Sequence, residues 1–212
     1  MKRIIPFFSL LLLALNLAAY CQETQDTVIV DYKTEIENYR TGRNIKMVYT
    51  EGSPLTVEER KNFEGLNYFA IDEEYHVEAT LVKAEEQQTI VMKTSTDREP
   101  EYIQYGEVVF KLDGKEYKLL AYQSKKLLEV KKVVDEIFIP FRDSTSGDES
   151  YGGGRYVDCK LPTEGNTIMI DFNKSYNPYC AYNPKYSCVI PPDENRLSVR
   201  IEAGEKKYDE SH

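Results

Sequence analysis

The 212-residue chain has no tryptophan, two histidines and four cysteines, and its 27 lysines and arginines are outnumbered by 36 acids, a formal charge of −9. Each shortage excludes something. His76 falls in a predicted strand and His212 in a charged tail, so a Ser–His or Cys–His nucleophile pair has poor raw material. The acidic balance argues against nucleic acid or an anionic membrane surface as partner, because phosphate binding needs clustered Lys and Arg. A chain that is 41% hydrophobic and 12% aromatic is nonetheless too apolar to stay disordered. No internal repeat is present.

The first 21 residues read as an export signal. Lys2-Arg3 is followed by an apolar run from Ile4 to about Ala19, short for a membrane span, and small residues follow it. Ala19-Tyr20-Cys21 suits ordinary cleavage after Cys21. The other reading is a lipoprotein with a lipid anchor on Cys21, although Tyr20 stands where such sites want a small residue. Removal of the signal leaves about 190 residues, enough for one domain with its own core and more acidic still. The expected organisation is a signal peptide over 1–21, a single β-rich domain over 22–205 and a charged tail over 206–212, with no membrane span in the mature chain and a secreted, periplasmic or envelope location.

An oxidising compartment would meet three cysteines, Cys159, Cys180 and Cys188. Cys180 and Cys188 close a short loop, and a disulfide there is worth roughly 2–3 kcal/mol by chain entropy. A metal would need two more ligands, with only Cys159 and His76 on offer, and C-x7-C is looser than the C-x2-C of zinc knuckles. No metal and no cofactor is expected, and Cys159 reads as a small buried hydrophobe.

Asp31 to Arg40 has helical spacing at Tyr32, Ile36 and Tyr39, and Thr56-x-x-Glu59 is a capping box ahead of a second helix. The period then falls to two. Strands are expected at Tyr75 to Val82, Thr89 to Met92, Glu136 to Phe141, Thr167 to Phe172 and Leu197 to Ile201, with a hairpin turning at Asp113-Gly114. Lys125 to Lys132 fits strand or helix. The fold class is therefore mainly β, an antiparallel sandwich or a partly open barrel with two or three short helices. The stretch 143–195 is irregular and rich in Gly, Asn, Tyr and Pro, and holds six of the 17 tyrosines. Irregular runs of that length are uncommon unless functional.

The same stretch carries a resemblance. Phe141-Arg142-Asp143-Ser144-Thr145-Ser146-Gly147, Tyr151-Gly152-Gly153-Gly154-Arg155-Tyr156 and Asp171-Phe172-Asn173-Lys174-Ser175-Tyr176-Asn177-Pro178-Tyr179-Cys180-Ala181-Tyr182-Asn183-Pro184 resemble the bacterial domain-of-unknown-function family 1684. Phe63 to Phe69, the Gly106 to Gly114 hairpin and Ala203-Gly204-Glu205 match it as well. The resemblance implies membership over roughly Asp31 to Glu205, but the family has no settled activity to carry over. Relatives without an export signal would keep Cys180 and Cys188 as thiols.

Within this block Gly152 to Arg155 offers close backbone approach and a guanidinium for a carboxylate or phosphate. The plainer alternative is a glycine connection into a strand, with Arg155 paired to Asp143 or Asp171. Asp143-x-Thr145-x-Gly147 is faintly calcium-like but is explained more cheaply by a turn. Asp171, Asn173, Asn177 and the tyrosines suit either a polar, aromatic-walled pocket or a self-satisfied loop. The candidate ligand-binding set is Asp143, Thr145, Tyr151, Arg155, Asp171, Asn173, Tyr176, Asn177 and Tyr182. The expectation is a small polar or anionic ligand held by Arg155, Asp171, Asn173 and Tyr176 under the Cys180–Cys188 loop. Two alternatives stay open: a His-independent hydrolase of glycans or related polar substrates, using two of Asp143, Asp171 and Glu205, and a structural envelope protein.

Overall fold

The computed structural model describes residues 30–131 and 134–208. The expected signal peptide, the cleavage site and Cys21 lie outside the described residues. From Tyr32 onward the order is α1 (Tyr32–Tyr49), α2 (Val57–Lys61), β1 (His76–Lys83), β2 (Thr89–Val91), β3 (Glu101–Leu112), β4 (Lys115–Ser124), α3 (Lys125–Lys131), β5 (Glu136–Phe141), β6 (Arg155–Lys160) and β7 (Thr167–Asp171). All strand pairs are antiparallel, in the order β6-β5-β4-β3-β1-β7, with β2 beside β3. The sheet curls into a half-barrel, the partly open form of the expected class.

Local chemistry explains most elements. The β3–β4 hairpin turns on Asp113 (φ 50°) and Gly114 (φ 73°), the paired left-handed conformations of a type I′ turn. Thr56 caps α2 by accepting from the Glu59 amide while the Glu59 carboxylate accepts from the Thr56 amide. Such an arrangement is worth about 1 kcal/mol. Helix α1 runs nine residues past the expected Arg40, because tertiary contacts hold its second half: Met47 is buried with Leu55 and Tyr182, and Arg43 forks onto Glu205.

The two faces of the sheet bury different clusters. In β5, Ile137, Ile139 and Phe141 point into the main core with Val108, Phe110, Leu119 and Ile170, whereas Phe138 points to the opposite face. In β3 the alternation reverses along the strand. A register shift between Gln104 and Gly106 lets Tyr102 join the second cluster while Val108, of the same parity, stays in the first. Glycine is required at the shift, since a Cβ on Gly106 would collide with the Val82 carbonyl oxygen.

The β4–β5 seam is paired only at Tyr122 and Phe138. A side chain closes it. Asn195, 0% exposed, accepts from the Leu120 amide at 2.7 Å and donates to the carbonyls of Leu120 (2.9 Å) and Pro140 (2.7 Å). The expected last strand, Leu197 to Ile201, does not form. Its backbone bonds instead to the 142–144 segment, Leu197 to Arg142 and Ser144 to Val199, and the Ile201 amide donates to the Asp143 carboxylate. No helix among the described residues is long and apolar enough to cross a membrane.

Candidate functional site

Arg155 opens β6 and does not border a cleft. Gly154 (φ 93°) turns the chain into the strand where a Cβ would press on the Phe141 carbonyl oxygen at 2.6 Å. The guanidinium that follows is 0% exposed. It pairs with Asp143 at 3.3 Å, donates to the carbonyls of Ile201 (2.8 Å), Ala203 and Glu205 (3.1 Å), and lies between the rings of Phe69 and Phe141. Asp143 also accepts from the Thr145 amide and hydroxyl and from Ser146, so the calcium-like spacing is a turn whose charge is spent on Arg155.

The other candidates divide. Glu205 is buried, accepting from Arg43, the Asn177 amide and the Tyr182 hydroxyl. Burial works against the charge on Arg43, and Glu205 beside it more than offsets this. Asn173 is fully buried and accepts from the Asp72 amide while donating to the Asp72 carbonyl and the Tyr32 hydroxyl. Asp171 accepts from Tyr32 and the Asn173 amide and pairs with Lys174 at 3.2 Å. Thus all three expected acids are buried (Asp143 6%, Asp171 7% and Glu205 1% exposed), and Asp171 nonetheless reaches the wall of a cavity. It lies on a cavity of about 1200 Å³ between α1 and the edges of β6 and β7.

Open space of a different character lies where the irregular segment crosses the outer face of the sheet. Tyr102, Tyr122, Phe138 and Tyr156 come up from the strands, and Tyr176, Tyr179 and Tyr186 come down from the segment, around a cavity of about 410 Å³. Tyr102 stacks on Phe138 at 5.6 Å, and Phe138 meets Tyr156 edge-on at 4.8 Å. The Tyr156 hydroxyl donates to the Val189 carbonyl, fixing the segment above the strands. Two carboxylates, Glu136 and Asp158, line this cavity and the larger one alike. Crowding by protein raises the Asp158 carboxyl above the ordinary range, with Glu136 adding to the rise, while a 2.7 Å hydrogen bond from Tyr176 and the charge of Arg43 work the other way. Of the expected set, Tyr176 and Asn177 line this cleft, whereas Tyr182 is buried and Tyr151 lies against Cys180.

Asp158 escaped the sequence reading because no strand was assigned between Phe141 and Thr167. The signal was present in β6, where Val157 and Cys159 face the core while Tyr156 and Asp158 face out.

The expected Cys180–Cys188 disulfide is absent, and Cys159, Cys180 and Cys188 are free thiols. The pair is nevertheless adjacent: the Cys180 amide donates to the Cys188 sulfur at 3.1 Å, and the Tyr151 hydroxyl lies 3.7 Å from the Cys180 sulfur. Cys188 lines the aromatic cleft. The hydrogen bond from Cys188, against a partial burial that opposes it, and the hydroxyls of Tyr151 and Ser95 bring the Cys180 thiol down to about 6, while Cys188 is pushed well up. Because the thiolate is the nucleophile, iodoacetamide should label Cys180 faster than Cys188 at pH 7. Peptide mass spectrometry across a pH series checks this, and equal labelling of the two cysteines would refute it. Among the described residues no group of three or more His, Cys, Asp or Glu side chains is placed to hold a metal.

Comparison with known proteins agrees on family and is silent on activity. The family described as "Protein of unknown function (DUF1684)" matches residues 61–206. Among solved structures, the solution NMR structure of an uncharacterized protein of Haloarcula marismortui is similar to this chain, with 34% identity, a TM-score of 0.66, and coverage of 86% of this chain and 97% of that one. No curated protein matches.

Proposed function

From a chain that belongs to the DUF1684 family, we propose a protein that binds a small amphipathic molecule in the cleft between the irregular segment and the outer face of β4, β5 and β6. One observation carries the proposal: seven aromatic rings and two carboxylates converge on a single cavity of about 410 Å³. That volume is in the range of small-molecule sites, roughly 300–1,000 Å³, where apolar walls supply affinity and a few polar groups fix orientation. Arg155, in contrast, holds the core together, so the ligand's polar end belongs with Glu136 and Asp158.

A fragment screen by ligand-observed NMR, repeated on Tyr102→Ala and Phe138→Ala, tests the reading. Both rings are half-buried on the cleft wall, and removing either should weaken cleft ligands by about 10-fold, the worth of one aromatic contact. If the folded variants retain every fragment with unchanged affinity, the cleft is not the site.

We further propose that the protein is exported, on the strength of Lys2-Arg3 and the apolar run to Ala19. The N-terminus of protein purified from its native cells should be Gln22 or a lipidated Cys21. Recovery of an intact Met1 would reverse this.

A further inference from the structure

The charge distribution around the aromatic cleft bears on what it takes. Phe138 and Asp158 stand directly opposite each other in the β5–β6 register, and Glu136, two residues back, shares their face. Both acids are exposed to the cleft rather than covered by protein cations. Among the described residues no Lys or Arg nitrogen lies within 4.0 Å of either carboxylate.

Two of the three nearby cations have their close partners elsewhere. Arg43 sits with its guanidinium 4.9 Å from the Tyr176 ring centre and is committed to Glu205. Arg98 lies on the far lip, where it donates to the Ser187 hydroxyl and carbonyl. Lys160 stands directly across from Glu136 in the β5–β6 register and is exposed, but its ammonium lies more than 4.0 Å from both carboxylates. The cleft therefore presents two carboxylates, one of them accepting from a tyrosine hydroxyl, within a wall of phenol and phenyl rings. Ring faces carry negative electrostatic potential and attract a desolvated cation, Tyr and Phe included. Carboxylates and ring faces thus select the same charge.

Resting on the binding role proposed above, we propose that the ligand is an organic cation, an alkyl- or arylalkyl-ammonium. Its charged end meets Asp158 and Glu136, and its apolar body lies among Tyr102, Phe138 and Tyr156. A carboxylate or phosphate ligand would instead face two like charges at the end of the cleft where Asp158 and Glu136 stand.

Three probes of one shape and different charge test this on the full chain: phenethylamine, 2-phenylethanol and 3-phenylpropanoate, titrated by NMR against wild type, Asp158→Asn, Glu136→Gln and Phe138→Ala. Asn at 158 keeps an oxygen to accept from Tyr176, so the fold is not challenged. Phenethylamine should bind wild type about 10-fold tighter than the alcohol, with the carboxylate weakest. Each acid variant should weaken the amine about 5-fold or more and leave the alcohol unchanged, whereas Phe138→Ala should weaken both. Alcohol or carboxylate binding as tightly as the amine overturns the cation assignment and leaves the binding site standing, as does amine affinity untouched by both acid variants. Failure of the amine to bind at millimolar concentration also overturns it, and if the fragment screen is equally empty the binding role falls with it.

Discussion

Arg155→Ala is expected to lower the unfolding free energy by about 3–5 kcal/mol, the cost of removing one partner from a buried ion pair. The magnitude follows from what is left behind. Asp143 would remain at 6% exposure without its guanidinium, and the carbonyls of Ile201, Ala203 and Glu205 would lose their shared donor. Burial pulls the Arg155 pKa down and Asp143 pushes it back up. A guanidinium titrates so high that it stays charged all the same, so the network is ionic in the folded protein. Arg155→Lys should recover only part of the loss, because an ammonium cannot span the same three carbonyls and a carboxylate from one planar fork. Urea unfolding measures it, with exposed Arg98→Ala within about 0.5 kcal/mol of wild type as control. If Arg155→Ala unfolds at the wild-type midpoint, the residue is not structural and the anion-gripping alternative regains its force.

Asn195→Ala should cost about 3 kcal/mol by a separate mechanism. Its side chain substitutes for missing ladder bonds at the β4–β5 seam, and truncation strands the Leu120 amide, the Leu120 carbonyl and the Pro140 carbonyl out of water. Each buried group left without a partner costs roughly 1–3 kcal/mol, less than additively. Asn195→Asp should be at least as damaging, since it sets a carboxylate against two carbonyls. Hydrogen exchange reads the effect locally: the Leu120 amide should lose protection by far more than amides in the β3–β4 hairpin. Uniform loss across the sheet would mean that Asn195 acts through general packing instead.

These two residues also mark where sequence reading stops. Turn and cap chemistry is local, so Asp113-Gly114, Thr56 to Glu59 and the bounds of β5 could all be read from neighbours a few positions apart. The mainly β class followed from period-two patterning. Family membership was legible in long specific runs such as Asp171 to Pro184. The face reversal in β3 was not, because it depends on an extra residue near Gly106 that only strand pairing reveals. Leu197 to Ile201 alternates like a strand, yet its amides are taken by Asp143 and Arg142. The pairing of Arg155 with Asp143 was one of the readings the sequence offered, and the structure has it, but its carbonyl partners at Ile201, Ala203 and Glu205, 46, 48 and 50 positions downstream, were not legible. The cleft borders the irregular segment, but of its two acids Glu136 lies outside that segment, in β5.

Those separations bear on how the chain reaches its fold. All seven strands among the described residues precede residue 172, yet the guanidinium at the start of β6 has no carbonyl partners until residues 201–205 arrive. The same Glu205 anchors Arg43, 162 positions earlier, and so docks the first helix. A nascent chain holding every strand but lacking that closing segment would leave the Arg155 guanidinium with Asp143 but without its three carbonyls, and the first helix without its Glu205 anchor. Contacts this distant in sequence slow folding, and here they defer its completion to a single late event.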